Sequence, residues 1–97
     1  MITYLLRLEN NTDALACDWE AIPSSPGGWV LELNSAPETL YQEVGTALET
    51  LREYRRPSDR LALFVNLCGA EMTEPLAFEG SFLEMLGRHR CSMEIWN

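Results

Sequence analysis

The chain contains no lysine. All seven of its basic residues are arginine, set against fifteen acids, for a net charge of −8. Nucleic acid and anionic membrane surfaces demand clustered positive charge, so this balance argues against both as partners. Histidine occurs once, at His89, and the three cysteines, Cys17, Cys68 and Cys91, are dispersed without a C-x-x-C pair. No zinc spacing and no disulfide framework follow from such a set. There is no D-x-D-x-D-G loop for calcium, and Gly27-Gly28 makes neither G-x-G-x-x-G nor a Walker loop. No metal, cofactor or nucleotide is therefore expected. Long apolar runs are missing too: none approaches ~18 residues, and Arg7 interrupts an opening only one strand long. A cytoplasmic protein with reduced thiols is the expectation, with Cys68 buried on a strand and Cys17 and Cys91 free.

What is present is ordinary globular composition, with 46% apolar residues, six Gly and five Pro in 97 residues. That length suits one domain, 1–97. Residues 2–8 alternate, with Ile2, Tyr4, Leu6 and Leu8 on one face, and predict a strand. A short helix through Asp13–Trp19 is the reading of an undecided stretch before the breaker Pro23-Ser-Ser-Pro26-Gly-Gly28. Trp29 to Leu33 predicts a second strand. Ser35 and Glu38 form a capping box around Pro37, and Leu40, Val44, Ala47, Leu48 and Leu51 recur at helical spacing, so a helix spans about 36–55. Residues 61–68 are apolar on both faces apart from Asn66, which predicts a central strand covered on both sides. A helix over about 79–89, with Phe82, Leu83 and Leu86 inward, and a strand over 91–96 complete the chain.

The fold class is thus α/β (α+β): a two-layer sandwich with an about four-stranded mixed sheet and both main helices on one face. Ile2, Leu6, Leu31, Leu63, Met93 and Ile95 are expected beneath the helices. Leu5, Val30, Phe64 and Trp96 are expected on the opposite, uncovered face among Thr3, Arg7, Glu32 and Glu94, as an interface for a partner or a homodimer.

Catalytic signals are weak. His89 and Cys91 straddle a helix end and a strand start, and a histidine there is explained by the helix dipole. Glu71, Glu74 and Glu79 share one loop region and read as solvated acids. Asn10-Asn11-Thr12 matches a glycosylation sequon, which a cytoplasmic setting makes a chance match. Arg52, Arg55, Arg56 and Arg60 interleave with Glu49, Glu53 and Asp59 and read as internally paired.

Several blocks resemble the family of small bacterial proteins named domain of unknown function 4279. They are Gly27-Gly28-Trp29-Val-Leu-Glu, Pro75-Leu-Ala-Phe-Glu, Phe82-Leu83-x-x-Leu86 and Ser92-Met-Glu-Ile-Trp96. The likeness covers residues 27–97. Residues 9–22 are short for the helical segment that family carries after its first strand. The resemblance implies a bacterial α/β domain without known catalytic residues. A looser likeness is to the small acidic immunity proteins that neutralise bacterial toxins.

Charge is distributed unevenly. Residues 1–51 hold eight acids against Arg7 alone, and residues 52–97 hold seven acids against six arginines. Asp13, Asp18, Glu20 and Glu32, with Trp19 as an anchor, are therefore the candidate contacts to a basic protein partner, one class of which is a toxin. Three readings stand: an acidic, non-catalytic inhibitor or immunity-type binder, which is favoured; a structural or adaptor domain dimerising through its open sheet face; and a small hydrolase.

Overall fold

The computed structural model describes residues 2–9, 19–21, 28–33, 37–55, 59–69 and 77–96. The alternation of the opening segment becomes β1 (Thr3–Glu9), with Tyr4, Leu6 and Leu8 buried between less buried neighbours. A short strand, β2 (Glu20–Ala21), precedes β3 (Gly28–Leu33) and the helix α1 (Pro37–Leu51). Then come β4 (Arg60–Asn66), α2 (Gly80–Arg88) and β5 (Cys91–Trp96). The fold is α+β, a five-stranded mixed sheet in the order β2-β3-β1-β4-β5. All neighbours are antiparallel except β4 and β5, whose parallel pairing needs the crossover that α2 supplies.

Register fixes the two faces. Leu6 stands opposite Leu31 and Leu63, and Leu63 opposite Met93. Leu8, Trp29, Leu61 and Cys91 form the next row. Against these rows pack Leu40, Val44, Ala47, Leu48 and Leu51 of α1 and Phe82 and Leu86 of α2. Tyr41 ties the helices together: its ring stacks on Phe82 at 4.3 Å, and its hydroxyl accepts from the Glu79 backbone N–H at 3.1 Å. Both helices thus lie on one side. Among the described residues no helix is long and apolar enough to cross a membrane.

Several expectations change. The fifth strand, β2, is two residues long, too short for any period to reveal. Residues 13–18 of the expected short helix and the capping serine lie outside the described residues, and Trp19 is not helical. The first long helix ends at Leu51 rather than near 55, because the chain tightens there, with Tyr54 and Arg55 both donating to the Leu51 carbonyl. That turn frees Arg55 to reach the carbonyls of His89 and Arg90, which cap the turn from α2 into β5. Leu83 is 46% exposed, since only the narrow Phe82–Leu86 stripe of α2 meets the core. Ile95 lies on the helix side by register, yet β5 is an edge strand and leaves it 56% exposed. β4 is interior as expected, and the helices among the described residues cover one of its faces.

Cys68 is the plainest correction. The strand stops at Asn66, and Cys68 is exposed in the following turn at φ 52°, its N–H donating to the Asn66 Oδ1 at 2.9 Å. Among the described residues the buried thiol is Cys91 instead, and Cys17 lies outside them.

Candidate functional site: the uncovered face of the sheet

Alternation sends every second side chain away from the helices. One row across four strands reads Glu32, Leu5, Phe64, Glu94; the next reads Glu20, Val30, Arg7, Ala62, Ser92. Leu5, Val30 and Phe64 are half-buried by their neighbours in the sheet. Trp96 stands opposite Asn66 at one end, 56% exposed, with its ring stacked on Phe64 at 6.4 Å. An exposed indole on an aromatic neighbour, continued by two aliphatic side chains, is the composition of an interface centre rather than of ordinary surface.

The charges on this face divide into two kinds. Arg7 Nε lies 3.1 Å from Glu9 Oε1, and Arg60 Nη2 lies 3.7 Å from Glu94 Oε2. Glu20 and Glu32 are exposed and have no ion-pair partner among the described residues. Glu20 stands opposite Val30, and Glu32 follows two residues later on the same strand. The fold keeps Glu32 on this face, as expected, and brings Glu20 beside it through β2. The acids Glu20 and Glu32 border the apolar set Leu5, Val30, Phe64 and Trp96.

Trp19 does not join them. It is 8% exposed and belongs to the core cluster, so its ring is not available as a partner anchor. The acids around it in the sequence suggested an exposed site; in the fold Trp19 points in and Glu20 points out. Asp13 and Asp18 lie outside the described residues.

The alternative chemistry at His89 and Cys91 meets a physical obstacle. Burial pushes the Cys91 thiol up to about 11, against a weaker opposite pull from the Arg55 charge. Nucleophilic cysteines need the reverse, a lowered value that supplies thiolate near neutrality. The Cys91 sulfur lies 3.5 Å from the Ser92 carbonyl, and the His89 ring faces Glu49 at 4.0 Å. Of the loop acids, Glu71 and Glu74 lie outside the described residues and Glu79 is exposed.

A pH dependence follows. The folded thiol keeps its proton to higher pH than an unfolded thiol near 9.0, so the folded state loses relative stability between about 9 and about 11. The loss is about 1.4 kcal/mol per pH unit over that window. Cys91→Ala should flatten the fall in unfolding free energy measured by urea titration from pH 9 to 11. Burial also raises the Tyr4 hydroxyl, so a common decline above pH 10 should remain in both proteins. An unchanged slope in the variant would show that Cys91 is not the buried titrating group.

No protein-family model, curated protein or solved structure matches this chain.

Proposed function

We propose that the chain is a non-catalytic binding protein of the inhibitor or immunity type, which docks a basic partner protein such as a toxin against its uncovered sheet face. The observation that carries this reading is the exposed Trp96–Phe64 stack, continued by Leu5 and Val30 and bordered by Glu20 and Glu32. Aromatic and aliphatic side chains at the centre give up water on contact, while carboxylates at the edge steer a positive partner. The overall charge of −8 extends that attraction beyond the face itself.

The test begins with a basic protein retained by the immobilised chain, purified and returned to the chain in solution. Its association should slow markedly between 0.1 M and 1 M salt, as the screening length falls from about 10 Å to about 3 Å. Reversing Glu20 and Glu32 to Lys should cut the association rate roughly tenfold, whereas Trp96→Ala should chiefly speed dissociation. Replacing His89 or Cys91 should change neither rate. Retention that ignores all the face variants would defeat the proposal. So would a face occupied by a second copy of this chain, seen as a dimer that Trp96→Ala dissolves.

A further inference from the structure

The arginines are not spread over the molecule. Arg7 and Arg60 lie on the open sheet face, and Arg56 lies outside the described residues. The remaining four, Arg52, Arg55, Arg88 and Arg90, converge with His89 on one open groove of about 920 Å³ between α1 and α2, on the helix side. They arrive from two segments more than thirty residues apart: the turn after α1, and the stretch from the last turn of α2 to the turn leading into β5. Arg52 keeps the internal pairing expected from the sequence, with Glu49, and Asp59 acts on Arg55, while Arg60 goes to Glu94 on the sheet.

The charge count decides what this groove favours. Its one acid is Glu49, whose carboxylate takes a 3.1 Å bond from Arg52 and lies 4.0 Å from His89. Two helix C-termini, α1 and α2, end here and contribute roughly half a negative charge each. Helix-end placement therefore explains part of the cluster, and the buried carboxylate of Asp59 acts on Arg55; four guanidinium groups against Glu49, Asp59 and both dipoles still leave about one positive charge unmatched. Arg88 and Arg90 have no ion-pair partner among the described residues. Arg55 is fixed on the carbonyls of His89 and Arg90, and its Nε is buried without a hydrogen-bond partner. Burial and then the like charge of Arg90 lower its affinity for its proton, against a weaker opposite pull from the Asp59 carboxylate.

The groove also has an apolar floor of Leu48, Leu51, Leu61 and Met85. Its volume falls within the range of roughly 300–1,000 Å³ typical of small-molecule sites. We propose that it binds a small phosphomonoester, with the phosphate held by Arg52, Arg88 and Arg90 and the organic portion lying on Met85 beside Gly45. A phosphate offers three terminal oxygens to these three guanidinium groups, where a monocarboxylate offers two. The planar guanidinium forks suit phosphate oxygens in bidentate contact. This site lies on the side of the sheet opposite the proposed protein-binding face and stands or falls independently of it.

Phenyl phosphate, titrated at constant ionic strength and followed by backbone and arginine Nε–H NMR signals, tests the assignment. Saturable shifts are expected at residues 48–55 and 85–90, with affinity falling at least tenfold in Arg52→Gln/Arg88→Gln, equivalent to about 1.4 kcal/mol. Both side chains are exposed, so the ligand-free melting temperature should hold; should the double variant melt early, Arg88→Gln alone decides. Arg55 is left intact because it clamps the turn into β5. Benzoate should bind at least tenfold more weakly than phenyl phosphate, and Glu20→Lys/Glu32→Lys should leave phosphate affinity unchanged. Non-saturating shifts, shifts reproduced by added chloride, equal binding of benzoate, or unchanged affinity in the arginine variants would each overturn the proposal.

Discussion

Leu63→Ala is expected to lower the unfolding free energy by about 3–4 kcal/mol, a large share of the roughly 5–15 kcal/mol that holds a domain of this size together. Leu63 is fully buried, and its row runs from Leu31 through Leu6 to Met93 beneath both helices. Strand pairing on two sides prevents the backbone from moving in to fill the space. The lost methyl groups therefore leave a cavity in addition to the lost transfer free energy. At about 4–8 °C per kcal/mol the melting temperature should fall by roughly 15–25 °C. The adjacent residue supplies the control. Phe64 is half-buried on the uncovered face, and Phe64→Ala should cost only about 1–2 kcal/mol despite removing a larger side chain. Urea unfolding with an unchanged m-value measures both. Equal costs, or a larger one at Phe64, would mean that the helices lie on the other face.

Gly28→Ala should be nearly as damaging, for a reason that has nothing to do with buried area. Gly28 opens β3 at φ 151° and pairs with Glu9. A Cβ there would collide with the Leu8 carbonyl oxygen and sit 3.1 Å from the Glu9 Cα. Both obstacles are backbone, so no rotamer change can relieve them. The disfavoured dihedral alone costs about 1–3 kcal/mol, and separating β3 from β1 adds to it, for a total of about 3 kcal/mol or more. Gly69 also has a positive φ, 71°, but nothing lies within 4 Å of its added Cβ. Gly69→Ala should therefore cost only about 1–2 kcal/mol. Calorimetry that gives the two alanine variants the same melting temperature would refute the clash.

These two positions also mark what a sequence can reveal. The alternation in β1 and the helical stripe from Leu40 to Leu51 are strong periodic signals, and they located both the core and the face that stays uncovered. Leu5, Val30, Phe64 and Trp96 share that face because strand period is 2 and register follows the buried side. Periodicity fails where a segment is short or leaves its element. β2 spans two residues, and the apolar run through Cys68 continues past the end of β4 into a turn, where hydrophobicity carries no geometric information. β4 looked covered on both sides because Ala62 and Phe64 are apolar. Ala62 is 2% exposed between Arg7 and Ser92, while both described helices pack on the other face. The positive groove was beyond reach for a different reason. Arg52 and Arg88 meet only because α1 and α2 pack on one sheet, and no local pattern encodes that meeting.

The parallel pairing of β4 and β5 has a mechanical consequence. Thr3 and Trp96 both stand beside Asn66, on its two sides, so two strand spacings, about 10 Å, separate them. A tension applied between those residues runs across the strands at one end of the sheet and loads the ladder bonds one pair after another. The domain should peel open at low force in that geometry. Tension between Thr3 and Arg60 runs along two antiparallel neighbours in opposite directions, so the whole β1–β4 ladder must shear at once. The same fold is therefore compliant in one direction and stiff in another.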